Sequence, residues 1–289
     1  MKKLSLSLVS IICLASVANA QRNFDSVEYK RTDLGHGIYM LEGSGGNIGL
    51  SVGEDGVFLI DDQFAQLTEK LLAAIKEVSD QPVRFVINTH WHGDHVGGNE
   101  NLANQGAIIM AHDNVRSRMA APGRRQSPEK ALPIMTFSDT NTYHLNGHKI
   151  HAFHVHSAHT DGDSIIHFED VNIIHAGDIM FNQIYPFIDL DSGGSVDGYI
   201  AALERLLAIS DDETRIIAGH GPMASRSDVK ASLKMIQSSK AKVAKLVKQG
   251  KTLDEVQAAD PLSELHDKWS WAFINGERFT ATLYRDLTE

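Results

Sequence analysis

Cysteine is almost absent from this chain. Of the 289 residues only Cys13 is a cysteine, and it lies in an apolar run near the N terminus. If that run is removed after synthesis, the remaining protein can form no disulfide and can offer no thiolate to a metal ion. A metal site in the mature chain must then use nitrogen and oxygen ligands.

The N-terminal apolar run is too short to anchor the chain in a membrane. It extends from Leu4 to Val17, which is less than the roughly 20 residues that a transmembrane helix needs. It follows Met1-Lys2-Lys3 and precedes Ala18-Asn19-Ala20, which has the small-x-small form of a signal-peptidase site. Residues 1–20 are therefore predicted to be a signal peptide cleaved after Ala20, and the mature protein is expected in the periplasm or outside the cell.

Positive charge is scarce as well. The chain has 27 Lys and Arg residues against 37 Asp and Glu residues, a formal net charge of −10. Loss of Lys2 and Lys3 with the signal peptide would bring this to about −12, which argues against nucleic acid or an anionic membrane surface as a partner. We expect a small-molecule substrate and no membrane contact after signal cleavage. Nothing in the sequence indicates an oligomeric state.

The rest of the chain has the pattern of one large α/β domain, residues 21–289. Residues 35–62 predict a meander of hairpins, and Asn146-Gly147 predicts a two-residue hairpin turn. A second hairpin is predicted from Ser164 to Ala176. Further predicted elements are helices over Ala65–Val78, Asn99–Gln105, Val196–Ile209 and Ser225–Gln249, strands over Ala107–Ala111 and Arg215–Ala218, and short helices over 253–289.

Four candidate metal ligands fall within the single stretch Thr89-His90-Trp91-His92-Gly93-Asp94-His95, directly after the apolar run Arg84–Asn88. His90 and His92 are two residues apart, so in extended or loop backbone both can turn the same way. With Asp94 and His95 the loop offers ligands for two ions. Imidazole and carboxylate suit zinc, with iron and manganese as competitors. The alternative is a polar loop that is merely rich in histidine.

Three further loops carry ligand-type residues after β-type runs. They are Ser157–Asp163 with His159, Ala176–Asp178, and Ala218–Pro222 with His220. If these strands share a sheet edge, the loops converge there on rigid supports.

Taken together, these loops resemble those of the metallo-β-lactamase-fold hydrolases, over essentially the whole mature sequence. The resemblance implies a four-layered αββα sandwich, in which two mixed sheets are flanked by helices, with a helical C-terminal extension over about 225–289. It also implies how the seven side chains divide between two metal ions. His90, His92 and His159 would bind one ion, Asp94, His95 and His220 the other, and Asp178 would bridge them.

The implied ligand set is that of the members that resemble glyoxalase II. Zinc β-lactamases of the cysteine-ligand type have that cysteine where Asp178 stands, and they lack a histidine ligand at the position of His95. This departure bears on β-lactam specificity rather than on hydrolysis. Residues 1–20, read as a signal peptide, argue against a glutathione thioester, which is a cytoplasmic substrate.

The residue three positions after the bridging ligand also bears on the substrate. Relatives place a lysine or a tyrosine there to hold the substrate, whereas this chain has Phe181. We interpret this as the loss of an anion-binding group, with core packing as the alternative, and we expect a high KM for β-lactams that Phe181→Lys would lower. Arg124 or Arg125, in the Pro122–Pro128 loop, could compensate if that loop covers the metals; a plain surface loop is the alternative.

Supporting residues are predicted around the ligands. By the resemblance, Asp61 lies at a strand end beside the site and would fix the ring of a ligand histidine, although it could instead cap the following helix. His112 and His175 are further candidates for supporting roles. The remaining histidines, including His154 and His156, are expected to be structural or solvated.

The sequence thus predicts a secreted or periplasmic hydrolase with two divalent ions, zinc being preferred. Two dications flanking one water would lower its pKa from about 16 toward about 7 and so supply hydroxide at neutral pH. Asp94 would orient this nucleophile. The expected target is an amide, lactone or ester bond, with β-lactam hydrolysis as a main or side activity. The alternatives are a thioester or phosphodiester hydrolase on the same centre and a non-catalytic metal-binding module.

Overall fold

The computed structural model describes residues 24–123, 126–270 and 272–289. The predicted signal peptide, residues 1–20, lies outside the described residues, and so do Arg124 and Arg125. No helix within the described ranges combines the length and the apolar character needed to cross a bilayer.

The first sheet is mixed. Its seven strands are β1 (Lys30–Asp33), β2 (Ile38–Glu42), β3 (Ile48–Gly53), β4 (Gly56–Ile60), β5 (Val83–Asn88), β6 (Ile108–His112) and β7 (Met135–Phe137). Strands β2 to β4 form the antiparallel meander predicted over residues 35–62, and β1, which was not predicted, pairs with β2 at its edge. Strands β4 to β7 are parallel to one another. The parallel half therefore has its carboxyl ends at a common edge.

The second sheet is also mixed. Its strands are β8 (Thr140–Leu145), β9 (His148–His154), β10 (Ser164–Phe168), β11 (Ile173–His175) and β12 (Arg215–Ile217). The first four run antiparallel and β12 runs parallel to β11. Asn146 and Gly147 join β8 to β9 with φ of 54° and 80°, as the predicted turn requires.

Most helices lie where the sequence predicts them. They are α1 (Thr68–Lys76), α2 (Gly93–Val96), α3 (Asn99–Asn104), α4 (Asp113–Ala120), α5 (Val196–Ile209), α6 (Arg226–Val247), α7 (Leu253–Ala259), α8 (His266–Trp269) and α9 (Gly276–Thr288). The start of α6 is fixed by Ser225 and Asp228, whose side chains each bond the other's backbone N–H. Helix α4 was not predicted, because its short sequence is mostly polar and only Val115 and Met119 provide buried apolar residues at helical spacing.

Strand β4 shows why the sheets stack in layers. All five of its residues are buried, and successive side chains point to opposite faces. Phe58 and Ile60 belong to the core between the two sheets. Val57 and Leu59 instead pack with Leu71 of α1 on the outer face. Each such fully buried side chain contributes about 1.5–3 kcal/mol relative to an exposed one.

The second sheet is covered on its outer face by helices. Ile165 and Ile174 of this sheet share one apolar cluster with Leu203 of α5, Ile236 of α6 and Phe279 of α9. The order is therefore helices, sheet, sheet, helices, which confirms the predicted four-layered αββα sandwich with two mixed sheets.

Candidate metal centre

Loops that follow four strands carry the predicted ligands. The His90–His95 stretch follows β5, His159 lies in the β9–β10 connection, Asp178 follows β11 and His220 follows β12. Because β4 and β5 are parallel, and β11 and β12 are parallel, the loops at their carboxyl ends share one edge of each sheet. The two edges meet at the site.

One group of side chains consists of His90, His92, His159 and Asp178. Each offers a ligand atom, and these atoms all lie within 4.8 Å of one another. His92 Nδ1 lies 2.9 Å from His159 Nε2. Asp178 Oδ2 lies 3.4 Å from His159 Nε2 and 3.6 Å from His90 Nε2. The arrangement leaves a central position that three nitrogens and one oxygen face.

A second group consists of Asp94, His95 and His220, again with ligand atoms within 4.8 Å of one another. Asp178 Oδ1 lies 3.2 Å from His95 Nε2 and 3.5 Å from His220 Nε2. Its Oδ2 faces the first group, so the two oxygens of one carboxylate point to different groups. The structure thus brings all seven predicted side chains together, with Asp178 between the two sets.

Three polar atoms in this cluster are buried without a hydrogen-bond partner among the described residues. They are His90 Nε2, His95 Nε2 and Asp178 Oδ1. An unsatisfied buried polar group costs about 1–3 kcal/mol, so three that converge indicate a missing partner. A divalent cation fits, because it accepts lone pairs from imidazole nitrogen and carboxylate oxygen. The donor set, free of sulfur, suits zinc, iron or manganese.

Asp61 orients two of the histidine rings. Its Oδ2 accepts hydrogen bonds from His95 Nδ1 at 2.8 Å and from the Thr89 hydroxyl at 2.8 Å. Thr89 Oγ1 in turn lies 3.1 Å from His90 Nδ1. With Nδ1 of both rings engaged in these hydrogen bonds, the two Nε2 atoms face the centre. Asp61 therefore has the predicted supporting position rather than that of a helix cap.

Two other rings are held by a loop that the sequence did not single out. His159 Nδ1 donates to the Phe187 carbonyl at 2.7 Å. His92 Nε2 donates to Asp189 Oδ2 at 2.8 Å, and the Ser192 hydroxyl donates to the same oxygen at 2.6 Å. Burial alone would raise the pKa of Asp189, but these hydrogen bonds lower it to about 2. Asp189 therefore stays ionised and fixes His92 with Nδ1 toward the centre.

Burial and neighbouring charges set the protonation of the cluster. Burial would lower the pKa of His95, but Asp178 and Asp61 hold it well above its usual value, so a bound cation would take the place of a proton on that ring. Burial lowers the pKa of His90 well below its usual value and that of His159 to about 4, so both are neutral and free to donate a lone pair. Burial alone would raise the pKa of Asp178, but the surrounding histidines hold it well below its usual value. The bridging position is thus anionic, which a pair of dications requires.

Two glycines allow the loops to pack this closely. A Cβ on Gly46 would lie 2.2 Å from the ring of His95, and a Cβ on Gly219 would lie 2.1 Å from Asp178 Oδ1. Since real Cβ atoms do not approach so closely, any side chain at either position would displace a candidate ligand. The glycine-rich character of these loops therefore has a steric cause.

A cavity of about 910 Å³ opens onto the cluster. Its walls include the aromatic side chains of Trp91, Phe187 and Phe273, together with Arg118 of α4 and Ser127. Ser127 belongs to the loop predicted as a flap or surface loop, so that loop reaches the cavity rim. Arg118 was not predicted, because it lies on the unpredicted helix.

Phe181 does not line this cavity. It is 2% exposed and stacks on the ring of His220, with centroids 5.0 Å apart. This packing agrees with the alternative that Phe181 fills the core, and a phenyl ring at this position offers no group that could bind an anion. Phe181 packs against the face of the His220 ring and so helps to hold that ring in position.

The other two histidines proposed as supports differ. His175 accepts from the backbone N–H of Gly177 and lies 3.1 Å from the Asn47 carbonyl, so it steadies the turn that presents Asp178. His112 instead bonds the Ser138 carbonyl through Nε2, accepts at Nδ1 from the backbone N–H of Asn114 at the start of α4, and stacks on His154. His112 therefore supports the sheet edge rather than a ligand.

Comparison with known proteins gives a consistent picture. A family model described as "Metallo-beta-lactamase superfamily" matches residues 41–220. The chain is 23% identical over 248 residues to the beta-lactamase-like protein 2 homolog of Caenorhabditis elegans, with 83% of this chain and 77% of that protein covered.

A second relative is the hydroxyacylglutathione hydrolase of Polaromonas, 28% identical over 153 residues; the match spans 53% of each chain, about half the length of that relative. Among solved structures, the metallo-beta-lactamase from Pontibacter korlensis matches with a TM-score of 0.64 at 20% identity, covering 73% of this chain and 99% of that one. At this identity the structural likeness speaks for the fold alone.

Proposed function

Because the chain belongs to the metallo-beta-lactamase superfamily, we propose that it is a secreted or periplasmic hydrolase that holds two divalent ions and cleaves an amide, lactone or ester bond. Its β-lactam hydrolysis would be a main or a side activity. The observation that carries the proposal is the position of Asp178, whose two oxygens face two separate groups of ligand atoms. Each group includes one buried imidazole nitrogen without a partner among the described residues, His90 Nε2 in the first and His95 Nε2 in the second.

The proposed ligands are the seven side chains of the cluster. His90, His92 and His159 would hold one ion, Asp94, His95 and His220 the other, and Asp178 both. Zinc is the proposed metal, with iron or manganese as alternatives. Such ions, when bound, would acidify a water molecule and polarise the scissile carbonyl.

Asp94 is the proposed catalytic residue. Its Oδ2 lies 3.5 Å from His220 Nε2 and its side chain is 24% exposed to the cavity, so a carboxylate oxygen can reach both the centre and a bound substrate. From this position it can accept a proton from an attacking water and return it to the leaving group. Asp61 and Asp189 hold the rings of His95 and His92 and so keep this geometry rigid.

A thioester hydrolase on the same centre is the second candidate. It is supported by the relative named as a hydroxyacylglutathione hydrolase, although a location outside the cytoplasm would exclude glutathione itself. A metal-binding protein without catalytic activity is the third candidate. It is less well supported, because this chain has Asp94, the proposed catalytic residue, and Asp94 lines an open cavity.

One experiment separates these candidates. The zinc-loaded mature protein is assayed against a β-lactam, a lactone, an aryl ester, a thioester and a phosphodiester, with Asp94→Asn as the matched control. We expect turnover of a carbonyl substrate that Asp94→Asn abolishes when the two proteins are compared at saturating zinc. Turnover confined to the thioester or the phosphodiester would select the alternative hydrolase, and no turnover at full zinc occupancy would favour the binding module.

A further inference from the structure

Arg118 is the only lysine or arginine among the described residues that line the cavity over the metal centre. It lies in the last turn of α4, and its side chain is 27% exposed. The other charged residues of the lining are acidic: Asp94, Asp178, Asp189 and Asp191. Arg118 is therefore the one Lys or Arg side chain in the described lining that could attract an anionic part of a ligand.

The guanidinium of Arg118 is fixed in place by Asp161. Nε donates to Asp161 Oδ1 at 2.6 Å and Nη2 donates to Oδ2 at 2.7 Å. Asp161 is itself secured, because its backbone N–H donates to the Ser192 carbonyl and its carbonyl accepts from the Asn114 side chain. Arg118 therefore presents one orientation to the cavity and loses little conformational entropy when it binds a ligand.

Three of the five N–H donors of the Arg118 guanidinium remain without an acceptor among the described residues. A guanidinium has five N–H groups, and the bond to Asp161 uses two of them along one side. No described residue accepts from the other three, which include the parallel pair at the end of the fork. This pair matches the spacing of two oxygens in a carboxylate.

The acidic neighbours do not compete for this end of the fork. Asp161 binds the opposite side, Asp189 is bonded to His92 and Ser192, and Asp191 is paired with Arg285 at 2.6 Å. As far as the described residues are concerned, this end of the guanidinium is thus available to an anion that enters the cavity.

We propose that Arg118 binds an anionic group of the substrate, so that the natural substrate carries a carboxylate apart from its scissile bond. This rests on the proposed hydrolase function and specifies its substrate class. The aromatic side chains of Trp91, Phe187 and Phe273 would pack against the apolar part of the same molecule. Arg118 is then a specificity residue and takes no part in bond cleavage.

The test uses two matched series of 4-nitrophenyl esters, which differ only in the distal group. One series consists of the half-esters of succinate, glutarate and adipate, and the other of the corresponding half-amides, so that different lengths probe the distance to Arg118. For the best length, zinc-loaded wild-type protein should show a KM at least about tenfold lower for the carboxylate. Arg118→Ala should abolish that preference with little change in kcat, and Arg118→Lys should retain part of it.

Arg116→Ala is the matched control. Arg116 lies on the same helix, but its guanidinium donates to the Pro133 carbonyl and does not line the cavity. This variant should keep the wild-type preference. If wild type shows no preference at any length, or if Arg118→Ala weakens both series equally and lowers zinc content, Arg118 merely clamps the loop of His159 and the proposal is overturned.

A binding measurement keeps the inference separable from the proposed function. Calorimetric titration of the zinc-loaded protein with glutarate and with glutaramate needs no turnover. Glutarate should bind wild type more tightly by about tenfold and should lose this advantage in Arg118→Ala. If neither ester series is hydrolysed while this difference is present, the ester-cleaving function fails and the anion site stands. Because glutaramate keeps one carboxylate, the decisive comparison is between the two proteins: an affinity for glutarate that is the same in wild type and Arg118→Ala refutes the site itself.

Discussion

Asp61 and His95 are joined by a hydrogen bond of 2.8 Å between Oδ2 and Nδ1, and neither side chain has any exposed surface. Asp61 also has a φ of 65°, a conformation that residues other than glycine rarely adopt. Since Thr89 links the same carboxylate to His90, a strained residue at the end of β4 orients two candidate ligands. Strain held at such a position is typical of functional sites.

Replacement of Asp61 should therefore weaken metal binding without removing a ligand. We expect Asp61→Ala to reduce zinc affinity by about 10–100-fold, because His95 and His90 lose the acceptor that fixes their rings. Competition with a chelating dye measures the affinity. Asp62→Asn is the control, because Asp62 is equally buried but bonds the backbone of Gly98. Equal losses in the two variants would contradict the orienting role.

The two ligand groups set the expected number of metal ions per chain. Two groups of ligand atoms, with the carboxylate of Asp178 between them, should bind two divalent ions per chain through nitrogen and oxygen only. Elemental analysis after purification without chelator should give a value near two. A value near one that added zinc does not raise would refute the dinuclear centre.

Asp178 itself should be the least replaceable ligand. Asp178→Asn keeps the shape of the side chain but offers one neutral oxygen in place of a carboxylate that two dications would share. We therefore expect kcat/KM at saturating zinc to fall by more than about 100-fold, which exceeds the roughly 10–100-fold typical of residues that only hydrogen-bond a ligand. His154→Ala is the control, because its described contacts are with His112, His156 and Asp163. Similar rates in the two variants would show that Asp178 does not bridge.

The candidate site is easiest to predict from the sequence where several metal-ligand residues lie close together in the chain. His90, His92, Asp94 and His95 lie in one short stretch, and the glycine-rich loops of His159, Asp178 and His220 follow clear β-type runs. Strands and hairpins were equally readable, because alternation and the Asn146-Gly147 turn are local signals. These features depend on neighbours in the chain, which a sequence displays directly.

Residues whose role depends on tertiary proximity could not be read in this way. Arg118 lies on a mostly polar helix, and its partner Asp161 is 43 residues away. Asp189 lies 97 residues from His92 in a loop without ligand spacing. The packing of Phe181 against His220 likewise depends on tertiary proximity, because its position three residues after Asp178 does not show whether its side chain faces the cavity or the core.

A stacked pair of histidines should make stability depend on pH. His154 lies 3.8 Å from His112 between ring centroids. Burial lowers the pKa of His154 from 6.5 to about 4, and the neighbouring His112 and His156 add to this effect, while Asp163 and Asp161 oppose it. The unfolded chain therefore binds the proton at a higher pH than the folded protein does.

Because of this difference in pKa, the free energy of unfolding should decrease as the pH falls. Above about pH 6.5 His154 contributes no pH dependence, and as the pH falls from there toward about 4 the unfolded state gains protons and the folded state loses stability. Urea unfolding of zinc-loaded wild type and His154→Gln should show the larger decrease in wild type between about pH 7 and 5. Parallel decreases would show that protonation of His154 is not involved.

Phe181→Lys is not expected to lower the KM for β-lactams, in contrast to the expectation from the sequence alone. The side chain at 181 is buried behind His220 and lies 6.0 Å from Phe273 between ring centroids, so a lysine there would place an ammonium beside a candidate ligand instead of in the cavity. Truncation of a buried phenylalanine alone costs about 3–5 kcal/mol, and an unpaired buried charge adds to this.

We therefore expect Phe181→Lys to lower the free energy of unfolding and the zinc content, with no decrease in KM for one penicillin and one carbapenem. Phe181→Leu is the matched variant, because it keeps an apolar side chain behind His220 and should retain zinc. Unfolding in urea, elemental analysis and steady-state kinetics on the three proteins decide the matter. A stable, fully zinc-loaded lysine variant with a lower KM would place residue 181 in the substrate cavity after all, and Arg118 would then have a competitor as the anion-binding group.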